Sequence, residues 1–125
     1  MKPMTVSVPA REEWLLVLRL AASGVCAVYD LPVDVLEDVC TAVEESADLL
    51  LHQPCAPETL LLQCREGEDG PVLSLSAQGE APGSADGETD PDIARMILET
   101  LVRDVELRRD GDQVRGVLLR LPVRG

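Results

Sequence analysis

The sequence predicts an α+β fold: a two-layer sandwich with a mostly antiparallel sheet of about five strands and three helices on one face. Three observations predict it. The elements read β-α-α-β-β-α-β-β, with helices and strands in separate blocks rather than strict alternation. Consecutive strands are separated by short turn-forming runs, Glu66 to Gly70 and Asp110-Gly111, which suit antiparallel neighbours. At 125 residues the chain has the length of one domain (1–125), and 46% of it is hydrophobic with no Phe, one Trp and one Tyr, so its core must be aliphatic.

Each element has its own signal. From Met4 to Val8, Val6 and Val8 alternate with Thr5 and Ser7, a strand with one buried face that Pro9 closes. Arg11 to Tyr29 places Trp14, Leu18, Ala21, Val25 and Val28 at steps of four and three, the pattern of an amphipathic helix weakened slightly by Gly24. Asp30, Leu31 and Pro32 interrupt it, and Pro32 suits the first turn of the next helix. That helix runs from about Val33 to Leu51. Leu36, Val39, Cys40, Val43, Ala47 and Leu50 share one face, and Thr41, Glu45, Asp48 and His52 share the opposite one. Pro54 and Pro57 follow it.

Glu58 to Cys64 and Val72 to Ala77 read as two strands around a turn. Gln78 to Thr89, built from Gly, Pro, Ser and acids, reads as a mobile loop. Asp90-Pro91 supplies an N-cap and a first-turn proline for a third helix with Ile93, Ile97 and Leu101 on one side. Val105 and Leu107 alternate with charged residues, and Val114 to Val123 forms the last strand.

The net charge is −12, from 23 acidic and 11 basic residues. This balance opposes nucleic acid and anionic membranes. It suits a basic protein partner, or simply keeps the chain in solution. No apolar run approaches the ~20 residues of a membrane span, and Met1 to Met4 lacks the apolar core of a signal peptide. The expectation is a cytoplasmic chain whose four cysteines stay reduced. His52, Cys55 and Cys64 lack the paired ligand spacing of a zinc site, so no metal is expected there, and the cysteines read as small hydrophobes. His52 reads as a surface histidine at a helix C-terminus. The chain has no Ser-His-Asp order and no P-loop.

Residues 42–49 read Ala42-Val43-Glu44-Glu45-Ser46-Ala47-Asp48-Leu49. This run resembles the A-V-x-E-A-x-x-N helix of the anti-sigma factor kinases of the RsbW and SpoIIAB type, in the GHKL ATPase superfamily. The element order, and the Arg19-to-Glu45 spacing, are similar to the family's over nearly the whole chain. The resemblance implies a catalytic base at Glu45 and a Mg-ATP site flanked by Asp48, Leu49, Gly79, Gly83 and Gly87. It also implies a partner contact at Arg19 and homodimers pairing near the first strand and helix. Trp14 reads as core, or as half-buried beside such a seam. The implied partners are a sigma factor and a STAS-type anti-anti-sigma protein.

The departures from the family bear on the chemistry. The asparagine that gives Mg²⁺ an oxygen is here Leu49, which has no lone pair to offer. A one-residue shift pairing Glu44 with Asp48 restores the spacing, but turns Glu44 toward the buried stripe. No aspartate precedes Gly79 to read adenine, and Glu80 follows it. The lid, Asp86 to Asp92, has one glycine, four acids and a proline, so like charges oppose a triphosphate. A micromolar site needs about 8 kcal/mol, and each charge-assisted hydrogen bond supplies about 1.5–3 kcal/mol. Losing the metal ligand, the adenine reader and several phosphate donors predicts ATP affinity weaker than about millimolar and an idle Glu45. The expectation is a stoichiometric anti-sigma-like regulator without a cofactor. The alternatives are an active serine kinase of the same family, using Mg-ATP, and an interaction module outside sigma regulation.

Overall fold

The computed structural model describes residues 3–81 and 87–121. Five strands form one sheet in the order β1-β2-β3-β5-β4, with every neighbouring pair antiparallel. They are β1 (Met4–Pro9), β2 (Thr59–Gly67), β3 (Gly70–Gln78), β4 (Asp104–Asp110) and β5 (Gln113–Arg120). Three helices, α1 (Leu15–Val28), α2 (Val33–Leu51) and α3 (Pro91–Glu99), cover one face, so the fold is the α+β sandwich read from the sequence.

Alternation sets which strand residues meet the helices. Leu60, Leu62 and Cys64 of β2 point inward, opposite Ala77, Leu75 and Leu73 of β3 in register. Leu75 and Leu73 in turn pair with Val117 and Leu119 of β5. The helices complete the core with Leu18, Ala22, Val25 and Cys26 from α1, Val39, Cys40, Val43, Ala47, Leu49 and Leu50 from α2, and Ala94 and Leu98 from α3. Among the described residues the largest fully buried side chains are all Leu or Val, the aliphatic core expected of a chain without Phe.

The β2–β3 hairpin is tighter than the sequence suggests. The strands run on to Gly67 and Gly70, leaving only Glu68 and Asp69 in the turn. Glycine makes this possible: Gly70 has φ +125°, and a Cβ on Gly67 would lie 2.9 Å from the Gly70 carbonyl oxygen. The first helix also starts later than its periodicity implies. Glu12–Trp14 forms a single 3-10 turn, and α1 proper begins at Leu15. At its far end Asp30 takes φ +53°, and the Leu31 N–H returns to the Cys26 carbonyl at 2.9 Å.

Two predicted faces are rotated. On α1, Val28 is 81% exposed and Gly24 is exposed, while Ala22 and Cys26 are buried. The inward stripe is therefore Leu18, Ala22, Val25 and Cys26. On α3 the inward residues are Ala94 and Leu98, and Ile93, Met96 and Ile97 face out. In both helices small residues sit against the partner element and let it approach closely, which a pattern of large apolar residues misses. The α3 start is as read: Asp90 Oδ1 accepts from the Asp92 N–H at 2.8 Å, with Pro91 in the first turn. No helix among the described residues is long and apolar enough to cross a membrane.

Candidate functional site

The motif residues lie along α2, a 19-residue helix between α1 and α3. Its apolar content is high enough to bury nearly a whole side. Ala42, Val43, Ser46, Ala47, Leu49, Leu50 and Leu51 are all buried. Ser46 avoids an unpaired hydroxyl by donating to the Ala42 carbonyl at 2.7 Å, one turn back. Glu44, Glu45 and Asp48 remain half-exposed.

Leu49 is fully buried and belongs to the hydrophobic core. Its backbone is held as well, because the Gln53 side-chain amide donates to the Leu49 carbonyl at 3.0 Å. The other end of that amide accepts from the Val114 N–H at 2.8 Å, so Gln53 ties the end of α2 to β5. Gln113 does likewise, accepting from the Cys55 N–H at 2.8 Å. Gln53 is 3% exposed. Nothing in its sequence context marks it: it stands between a helix end and a proline, where glutamine is normally solvated.

Glu44 faces α1, where it accepts from Arg19 as an ion pair. Both side chains are 41% exposed. The expectation that the shifted register would turn Glu44 toward the buried stripe is therefore corrected: Glu44 is an ion-paired, half-exposed carboxylate. Glu44 holds the Arg19 guanidinium pKa above its ordinary value, through the hydrogen bond first and charge second.

Asp48 and His52 lie one turn apart at the end of α2. The His52 N–H bonds the Asp48 carbonyl at 3.2 Å, and His52 Nδ1 lies 2.9 Å from the same oxygen. Asp48 also accepts from the Thr89 hydroxyl at 3.2 Å, and the Thr89 N–H donates to the His52 carbonyl at 3.0 Å. The stretch ahead of α3 is thus pinned to the end of α2. Glu12, in the 3-10 turn, reaches the same place, with Oε1 3.8 Å from His52 Nε2. The one-turn spacing of Asp48 and His52 was legible in the sequence, but Glu12 and Thr89 come from segments far away in the chain on either side.

Gly79 follows β3 with φ +71°, and a Cβ there would meet Glu58 at 3.2 Å. Its carbonyl accepts from Arg115 at 2.9 Å. Gly87 has φ +111° with open space around it. Gly83 lies outside the described residues. The left-handed backbone at Gly79 and Gly87 explains why glycine stands there, whether or not a ligand approaches.

Trp14 is 39% exposed and takes no part in the core, so the core reading of it is corrected. It closes the 3-10 turn and starts an outward strip with Leu16, Val17 and Leu20, which are 61%, 38% and 62% exposed. Arg19 lies beside that strip and carries the only charge within α1. Farther along the helix an open groove of about 900 Å³ runs between α1 and the β1–β2 edge, with Met4, Val6, Val25, Tyr29 and Cys64 in its wall. None of the residues matched to the nucleotide boxes lines it. Burial raises the pKa of Tyr29 and of Cys64.

No protein-family model matches the chain, and no curated protein matches it. Among solved structures it is similar to the crystal structure of the RsbU and RsbW domains of Rv1364c from Mycobacterium tuberculosis, with a TM-score of 0.71. The two share a fold. The match covers 100% of this chain and 35% of that one, at 12% identity, so this chain spans about a third of the other's length. At that identity the likeness concerns backbone architecture, and the side chains of α2 must speak for the chemistry.

Proposed function

We propose that this protein is an anti-sigma-like regulator that works by binding a partner protein stoichiometrically, with an inactive nucleotide site. The observation that carries this reading is Leu49. It stands where the resembled family has its Mg²⁺-binding asparagine, and it is fully buried among aliphatic side chains. A magnesium ion requires oxygen ligands in near-octahedral geometry, and a buried leucine offers none. Glu45, without a metal or a positioned phosphate, has no reaction to serve as base.

The fold shared with the RsbU–RsbW structure supports the regulatory half of the reading. The surface supports the binding half. An uncharged strip, Trp14, Leu16, Val17 and Leu20, lies beside Arg19 on a chain of net charge −12. Aromatic and arginine side chains at the centre of an apolar patch are the usual anchors of a protein interface. Surplus acid steers a basic partner and makes the encounter salt-dependent. A cytoplasmic sigma factor is the partner of choice, and a STAS-type antagonist competing for the same strip is the route of release. Capture of a sigma factor of the same genome, weakened by salt and by Arg19→Glu and indifferent to Mg-ATP, is the expected result. Phosphate transfer from ATP to a STAS protein, lost on Glu45→Gln, would replace this reading with the kinase one.

A further inference from the structure

Glu12, Asp48 and His52 bring three potential metal-ligand groups together at the end of α2. Each residue brings one potential ligand atom, and these atoms lie within 4.8 Å of one another. His52 is the only histidine in the chain. Its Nδ1 lies 2.9 Å from the Asp48 carbonyl oxygen, which can only accept, so Nδ1 carries the proton. Asp48 Oδ1, 3.2 Å from the same nitrogen, reinforces that tautomer. In the neutral ring Nε2 then holds a lone pair, and it faces Glu12 Oε1, another acceptor, across 3.8 Å. That gap is too wide for a shared proton to close as a hydrogen bond. It suits a larger cation held between the two acceptors. The imidazole is only 22% exposed and fixed from behind, whereas the Glu12 carboxylate is 73% exposed and free to adjust by a small distance. Such an adjustment is what metal bonds of about 2.0–2.2 Å require.

We propose that this cluster binds a divalent transition-metal ion of the zinc class. His52 Nε2 and the Glu12 carboxylate are the direct ligands, and water completes the shell. Asp48 is the positioning residue: it holds the ring from the Nδ1 side, the carboxylate–histidine–metal arrangement that fixes orientation and raises ligand basicity. An imidazole with a carboxylate selects borderline cations such as zinc, nickel or cobalt over magnesium. The site is therefore distinct in chemistry from any Mg-ATP site, and it does not depend on the regulatory reading above. Its mechanical effect follows from the elements it joins. Glu12 belongs to the 3-10 turn that ends at Trp14, His52 ends α2, and Thr89 ties the end of α2 to the approach of α3. A bound ion clamps the start of the exposed Trp14 strip to the end of α2.

The test uses the full chain, untagged and stripped of metal, titrated with zinc chloride by calorimetry while Trp14 emission is followed. The expected result is saturable 1:1 binding with a change in Trp14 emission and a higher melting temperature. Nickel should reproduce it, and millimolar magnesium should not displace it. Glu12→Gln and His52→Asn should each weaken zinc by about tenfold or more, and Asp48→Asn should weaken it while leaving 1:1 binding detectable. Glu12 is exposed, so its variant tests the site even if the histidine variant folds poorly. Cys55→Ser, the nearby thiol in sequence, should bind zinc as the native chain does. Absence of 1:1 binding, survival of native affinity in Glu12→Gln, or loss of binding in Cys55→Ser would overturn the proposal.

Discussion

Replacing Leu49 by asparagine restores the oxygen that the resembled family gives to Mg²⁺, and the structure predicts that the result is instability rather than nucleotide binding. Leu49 is completely buried within the aliphatic core. Removing a buried leucine side chain costs about 2–5 kcal/mol in lost transfer energy and residual cavity. An amide of smaller volume partly fills the space but meets no polar partner there, which adds about 1–3 kcal/mol. The sum is about 3–8 kcal/mol, against about 5–15 kcal/mol for the stability of an ordinary domain. With a urea dependence of about 2 kcal/mol/M, the unfolding midpoint should fall by about 1.5–4 M. Leu49→Met, which conserves volume, should lose less than about 1.5 kcal/mol. Urea unfolding followed by far-ultraviolet circular dichroism reads all three proteins, and each is then titrated with Mg-ATP. If Leu49→Asn unfolds at nearly the native urea concentration and gains nucleotide affinity, Leu49 lines an open site, and the argument from burial is wrong.

Four further outcomes follow from other parts of the molecule. Gln53→Leu leaves the buried Val114 N–H without its acceptor, and should cost about 1–3 kcal/mol in the same urea assay. The exchange Arg19→Glu with Glu44→Arg keeps an ion pair on the α1–α2 surface, so the melting temperature should stay near native while sigma-factor capture is lost. Burial raises the Cys26 thiol pKa from 9.0 to about 11. The folded state therefore holds that proton longer than the unfolded chain, so this contribution is complete below pH 9. It falls as pH rises through that window by about 1.4 kcal/mol per pH unit, and Cys26→Ala should flatten the alkaline limb of a stability–pH curve. At Gly79, φ +71° and the 3.2 Å approach to Glu58 both oppose a Cβ. Gly79→Ala should therefore destabilise by about 1 kcal/mol or more in urea unfolding.

Most of the architecture was legible because apolar strand and helix runs are bounded by turn residues: Pro32 between α1 and α2, Gly67 and Gly70 between β2 and β3, and Gly111 between β4 and β5. Element order, the antiparallel sheet and the Asp90 cap all came from local pattern. The helix faces were read less well. On α1 and α3 the apolar residues form a wide band, and the periodicity cannot tell the side that packs from the side that faces out. The small residues Ala22 and Ala94 decided the matter, since they let α1 and α3 sit close to their neighbours, leaving Val28, Ile93 and Met96 outside. Trp14 was misplaced for a related reason: it fits the helical stripe by spacing, but the chain is still in its 3-10 turn there.

The site was half legible. Asp48 and His52 share a helix face by spacing, and Leu49 declared itself by its chemistry. That Leu49 is sealed within the core required the α2 packing. Glu12, Thr89 and Gln53 reach the end of α2 through tertiary contacts for which the sequence holds no periodic signal.

The most direct test is calorimetric titration of the native chain with Mg-ATP. No saturable binding is expected up to about millimolar nucleotide. At the positions matched to the resembled family, the sequence lacks the metal ligand, the adenine reader and several phosphate donors that would contribute to the about 8 kcal/mol of a micromolar site. A 1:1 isotherm with a micromolar dissociation constant would contradict it.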